Sequence, residues 1–299
     1  MEKIFLLGVG CQKGGTTWLH RYLNRHPEVN LGFRKEYHVF DALTISYFRK
    51  VLDKHERKLA KLRRNKWKKS NSKNKKFVRK LKNFERQASF YESVENYFIY
   101  FDELSSSKQA PKVVGDITPS YAGLSVDVLH EIKKNLQARG FTIRVIFLMR
   151  DPVERIVSSV RMNRRNSLKA NRSVGPSEDL DVLLAYKNPD VELRTRYERT
   201  IRNLREVFTE EELIFEVFEN LFTPETIERI TTRLGIFYQE PHFEMFYNQS
   251  KTDEVISDDV RKTVAQYYAE TYRYIETEFP QFQTRERWKS SALLAELTQ

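Results

Sequence analysis

The residues that most restrict this chain stand near its start. Ile4-Phe5-Leu6-Leu7-Gly8-Val9 is an apolar run of strand length ended by glycines, and from Thr16 or Thr17 the pattern turns helical. Trp18, Leu19, Tyr22 and Leu23 fall on one side of that helix, and Pro27 closes it. Between strand and helix lies Gly8-Val9-Gly10-Cys11-Gln12-Lys13-Gly14-Gly15-Thr16-Thr17-Trp18. Such a junction is where an α/β protein binds phosphate, because free N–H groups and the positive end of a helix dipole meet there. Glycines let the backbone approach an anion, and the threonines add hydroxyl donors.

The residue order excludes two familiar loops. A Walker loop carries its lysine after the last glycine, whereas Lys13 precedes Gly14-Gly15. A dinucleotide fingerprint begun at Gly8 and Gly10 needs a third glycine where Lys13 stands. A plain glycine-rich turn with a solvated lysine is the bland alternative.

Further along, Val29-Asn30-Leu31, Lys112 to Gly115, Arg144 to Met149 and Leu213 to Phe218 read as strands. Asp151 is placed to cap a helix, with Pro152 in its first turn and Glu154 three residues after the cap. Thr223-Pro224-Glu225 opens a helix ending near Gly235, and Ser257-Asp258-Asp259 opens a last long one that stops before Pro280. Strands alternating with helices argue for a parallel α/β sheet, and 299 residues suffice for one core, a single domain over 1–299. The stretch from Asp41 to Ala110 has no Gly or Pro and is rich in Lys, Arg and Asn. It reads as a basic helical insertion at about 42–110.

Charge sharpens that division. The chain carries +11, but Arg49 to Lys82 holds 17 Lys and Arg against Asp53 and Glu56, about +15, which leaves the rest near −4. Such a segment suits an anionic polymer, and with Trp67, Phe77 and Phe84 to stack on bases it suits nucleic acid. The alternative function is therefore nucleic-acid binding by the 49–82 segment on an inert α/β scaffold. The plainer reading is a solvated hairpin whose Leu59, Leu62, Trp67, Phe77, Val78 and Leu81 pack on each other or on a partner. Charge runs are more often solvated faces.

Cys11 is the only cysteine, which excludes a disulfide within the chain and points to a reducing compartment. No apolar run reaches transmembrane length. The expectation is a soluble, cytoplasmic protein.

The first loop resembles the 5′-phosphosulfate loop, Lys-(Ser/Thr/Gly)-Gly-Thr-(Thr/Arg)-x, of sulfotransferases that use 3′-phosphoadenosine 5′-phosphosulfate (PAPS). The resemblance implies that Lys13 stabilises the leaving phosphate and that Gly14, Gly15, Thr16 and Thr17 hold the 5′-phosphate. Trp18 matches the tryptophan that stacks on adenine in cytosolic members. Arg150-Asp151-Pro152-Val153-Glu154-Arg155-Ile156-Val157-Ser158-Ser159 resembles the family's 3′-phosphate element, in which Arg150 and Ser158 would grip that phosphate. A guanidinium suits this role because it contacts phosphate bidentately.

Lys35-Glu36-Tyr37-His38-Val39-Phe40-Asp41 resembles the base segment of heparan sulfate glucosaminyl 3-O-sulfotransferases and their bacterial relatives. That implies Glu36 as base, with His38 and Asp41 shaping the site; phenol and steroid sulfotransferases use a histidine farther along. Gly115 to Tyr121 resembles the acceptor cleft of the same branch, but Ile117 stands where those enzymes usually carry lysine. Phe246 to Lys251 loosely matches a loop that closes over the nucleotide.

The resemblance spans Met1–Asp41, Val113–Arg161 and Leu213–Phe282. It implies a P-loop-like central parallel sheet flanked by helices, PAPS as co-substrate and adenosine 3′,5′-bisphosphate (PAP) as product. The expected acceptor is a carbohydrate or small alcohol hydroxyl, with an anionic glycan as one form. No metal is expected, since sulfuryl transfer needs none and the six histidines lack zinc-type paired spacing.

Overall fold

The computed structural model of the chain describes residues 2–66, 74–244 and 254–295. Trp67 and the Phe246–Lys251 segment lie outside the described residues. Five parallel strands form one sheet: β1 (Lys3–Gly10), β2 (Val29–Asn30), β3 (Val113–Ile117), β4 (Phe141–Met149) and β5 (Leu213–Val217), in the order β2-β3-β1-β4-β5. β1 is central and buried on both faces, which is why its sequence is continuously apolar and does not alternate. Phe5, Leu7 and Val9 join the larger core on one face, and Ile4 and Leu6 join the smaller core on the other.

β1 and β4 both stop where the cleft begins. The loop after β1 feeds the helix Thr16–Leu23, which ends at Asn24, three residues before Pro27. The strand β4 hands Arg150 and Asp151 to the helix Pro152–Lys169. Asp151 caps it as the sequence suggests, accepting from the amides of Val153 at 3.0 Å and Glu154 at 3.5 Å. The reciprocal half of a capping box is not formed. Glu154 turns to Arg261 at 2.5 Å, and the amide of Asp151 goes to Glu219 at 3.3 Å.

Thr223 and Ser257 cap the helices they open, through the amides of Thr226 and Val260. The last long helix is two, Asp258–Tyr267 and Ala269–Glu278, broken at Tyr268. At that break the buried Tyr268 hydroxyl donates to the carbonyl of Tyr186 at 2.6 Å.

The basic segment folds as two long helices, Lys50–Lys66 and Lys75–Glu92, followed by Val94–Ser105. Leu59, Leu62 and Leu81 are buried between the first two, with Phe77, Phe84 and Ala88 packed against them, while Val78 is exposed. This is a small satellite core whose outer faces carry the charge. The end of the second helix and the third helix belong to the main core, where Phe90, Tyr97, Phe98 and Phe101 are buried. Among the described residues no helix is long and apolar enough to cross a membrane.

Candidate active site

The loop after β1 is shaped by bare backbone. A Cβ on Gly14 would lie 2.7 Å from Cys11 Sγ and 2.9 Å from the Leu148 carbonyl, so no side chain fits there. Lys13 (φ 72°) and Gly15 (φ 88°) are both left-handed. That alternation turns successive amides toward one concavity. The amides of Gly15, Thr16 and Thr17 have no carbonyl partner among the described residues and open the Thr16–Leu23 helix. They form a ready anion site.

Arg150 reaches this loop from the end of β4. Its Nη1 donates to the Lys13 carbonyl at 3.1 Å, its guanidinium lies 4.5 Å from the Phe218 ring centroid, and its buried Nε has no partner among the described residues. Tyr197 holds the Arg150 carbonyl at 2.8 Å, and Ser159 ties the helix to Gln12 at 3.2 Å. The two elements, more than 130 residues apart in the chain, are thus one surface. Ser158 lines the same cleft one residue before that tie.

Trp18 also borders the cleft but is only 6% exposed, because Tyr22 and Phe243 stack parallel to it and Phe222 meets it edge-on.

The opposite wall carries a cluster of titratable side chains. His38 Nε2 lies 3.2 Å from Glu36 Oε2, and its Nδ1 lies 2.7 Å from Asp41 Oδ2. Ser120 donates to Asp41 and sits 3.2 Å from His38 Nδ1, and Lys35 pairs with Glu36. The backbone is locked around them. Thr118 Oγ1 accepts from the Tyr37 amide at 3.0 Å and donates to the buried Asp116 at 2.6 Å. Gln87, from the second helix of the basic segment, donates to the Tyr37 carbonyl at 2.6 Å. Between two fixed neighbours, His38 keeps a left-handed φ of 51°.

These contacts set the charges. Burial works to lower the His38 pKa, but its bonds to Asp41 and Glu36 outweigh that and raise it to about 9. Burial works to raise the Glu36 pKa, yet the His38 bond and the charge of Lys35 bring it to about 2. Near neutral pH the pair is therefore an imidazolium and a carboxylate. Lys13 is lowered to about 8, first by burial and then by Arg165, Arg150 and Lys35.

All the predicted site residues except the buried Asp41 and Gly14 line one cleft of about 670 Å³. Asp41 stands behind His38, and Gly14 lies under the loop. Sequence reading missed four of the lining cations: Arg165, Lys169, Arg161 and Arg194. The first two lie on the face of the Pro152–Lys169 helix that carries Ser158 and Arg161, spaced by one or two turns. That spacing is a signal the sequence does carry. Arg194 comes from the turn after Pro189–Glu192 and has no local signature. Seven Lys and Arg side chains line the cleft against two carboxylates, so it is built for polyanions. Among the described residues no group of three or more His, Cys, Asp and Glu is placed to hold a metal ion.

A sulfotransferase from Alicyclobacillus acidocaldarius has a similar fold, with a TM-score of 0.55 at 14% identity over 93% of this chain and 95% of that one. A sulfotransferase domain from the curacin biosynthetic pathway (TM-score 0.47, 15% identity, 93% and 97% covered) is also similar. So is one from the Synechococcus PCC 7002 olefin synthase (TM-score 0.43, 14% identity, 90% and 94% covered). No curated protein matches the chain significantly. The profile of the sulfotransferase family matches residues 5–240, most of the chain and every strand of the sheet, and the chain belongs to that family.

Proposed function

We propose that the protein transfers a sulfuryl group from PAPS to an acceptor hydroxyl and releases PAP. One observation carries this reading: a half-buried lysine on a bare-backbone anion loop faces, across one cleft, a carboxylate held by an imidazolium. The donor set fits the nucleotide. The free amides of Gly15 to Thr17 and the unpartnered Nε of Arg150 are donors waiting for phosphate oxygens.

PAPS, when bound, supplies an activated sulfuryl group on a phosphate leaving group. Gly14 to Thr17 would hold the 5′-phosphate and Arg150 and Ser158 the 3′-phosphate, while Trp18, with Tyr22 and Phe243 already stacked parallel to it, would border the adenine with Phe222 and not stack on it by an open face. Lys13 neutralises charge as it develops on the leaving phosphate. Glu36 takes the proton of the acceptor hydroxyl, and His38, backed by Asp41, holds Glu36 in place. A carboxylate near pKa 2 is a weak base toward a ground-state alcohol. It acts as the hydroxyl becomes acidic in the transition state.

The Glu36–His38–Asp41 chain supports a carbohydrate-type acceptor. Ile117 is buried in the smaller core where heparan sulfate 3-O-sulfotransferases carry lysine, which speaks against transferring their acceptor unchanged. Calorimetry with PAP and AMP, together with label transfer from radiolabelled PAPS to a panel of hydroxyl acceptors, tests the reading. AMP binding as tightly as PAP would remove the 3′-phosphate assignment.

A further inference from the structure

We propose that Arg194, with Arg165 facing the same space, forms a second anion subsite that takes a fixed negative group of the acceptor, a carboxylate, sulfate or phosphate ester. The inference rests on the sulfotransferase reading and deepens it by naming the acceptor's charge.

Arg194 is an expensive residue to leave as it stands. Its side chain is 14% exposed, and among the described residues only Nη1 of its donors has a partner, Asp190 Oδ2 at 3.4 Å. Its buried Nε has no partner among the described residues. Its remaining contact is the face of Phe48, 4.4 Å from the guanidinium to the ring centroid, which orients the plane but accepts no N–H bond in it. A buried guanidinium with unmatched donors is costly unless something completes it. Arg155 adds to the cost, since it is fully buried, has no hydrogen-bond partner for any of its three nitrogens among the described residues, and repels Arg194.

The position identifies what completes it. Arg194 borders the cleft on the wall of Glu36 and His38, and the carboxylates of Asp41 and Glu36 act on it from that side. It stands beside the proposed base, where the acceptor must present its hydroxyl, and the nucleotide is already accounted for by the loop, Arg150 and Ser158. Arg165 approaches from the donor side. It follows Ser158 by two helical turns, about 10 Å, and has no hydrogen bond or ion pair among the described residues. Of the charged neighbours, it is the one that most lowers the pKa of Lys13. Two guanidinium groups with unmatched donors among the described residues therefore face the cleft from opposite walls. A neutral alcohol would leave both unmatched; an acceptor with an anion close to its hydroxyl satisfies them.

The test uses inorganic sulfate as probe on the full chain saturated with PAP, so that the nucleotide loop is filled. Sulfate affinity, read by calorimetry, should weaken about tenfold or more in Arg194→Gln, the scale of one charge-assisted bond. Arg194→Lys should keep much of it, and PAP affinity should be unchanged in both. Should Arg194→Gln fail to fold, Arg165→Gln provides the same reading. Sulfate titrating identically in wild type and in both glutamine variants would overturn the subsite. Wild type that does not bind PAP at all is a different result, and it would bring down the parent reading and the subsite with it.

Discussion

Raising the pH should discharge Lys13 well before an ordinary lysine would respond. With its pKa lowered to about 8, chiefly by burial and then by Arg165, Arg150 and Lys35, Lys13 in the free protein is largely charged near pH 7. At pH 9 only about a tenth of it stays protonated, whereas a lysine near 10.4 stays almost wholly charged. In the proposed mechanism the charged form stabilises the leaving phosphate, so kcat/KM for PAPS should fall about tenfold per unit above pH 8. A bound anionic donor favours the proton, which should move the limb in kcat to higher pH. Lys13→Arg stays charged throughout the range. It should lower the maximal rate, because a planar guanidinium is not a compact ammonium, and should abolish the alkaline limb. The assay is initial-rate label transfer at constant ionic strength from about pH 6.5 to about pH 10, within the range where these groups titrate. A wild-type kcat/KM that is flat to the upper end refutes the argument. An unchanged limb in Lys13→Arg would refute it too, and would assign the limb to His38.

Glu36→Gln should lower turnover about 10²–10⁴-fold with little change in PAP affinity. Because Glu36 is held near 2 it stays ionised above that pKa, so wild-type activity should show no acid limb near pH 4.5; a limb there would contradict the ion pair with Lys35 and His38. Arg150→Ala should weaken PAP binding and remove its advantage over AMP, measured by calorimetry. Deleting about residues 54–82 should leave PAP binding intact, since Gln87 and Tyr91, which hold the Tyr37 carbonyl, lie beyond the cut. Gln87→Leu in the full chain should lower kcat while PAP affinity holds, because it frees the Glu36–His38 backbone without touching the donor loop; equal loss of both would mean general destabilisation.

Much of this was readable in advance where the signal is local. β1, β4 and β5 are apolar runs, Asp151, Thr223 and Ser257 are capping residues at the right places, and Lys13, Arg150 and Glu36 stand in short motifs. What stayed hidden depends on long-range placement. Arg165 and Lys169 share a helix face with Ser158, but a row of basic residues on a helix reads as solvated until the cleft beside it is seen. Gln87 is an ordinary residue in a basic segment, and only the fold brings it to Tyr37. The break at Tyr268 has no glycine or proline to announce it. It occurs where a buried hydroxyl meets the Tyr186 carbonyl, a tertiary bond overriding a continuous helical pattern.

The central place of β1 bears on the order in which the molecule can form. Ile4 pairs with Val113 and Lys3 with Phe141, and β1 has no neighbour nearer in the chain. At ribosomal speeds of about 5–20 residues per second, β4 leaves the ribosome roughly 7–30 seconds after β1. β3, the first partner to arrive, follows β1 after about 5–22 seconds at the same speeds; until then the apolar segment Ile4–Val9 has no strand to pair with, while the basic hairpin, whose contacts are local, can close at once. The nascent chain therefore carries a highly charged, early-formed helical pair beside an unpaired, aggregation-prone strand. The loop after β1, first in sequence, completes its bonding only after Leu148 arrives to accept the Cys11 amide.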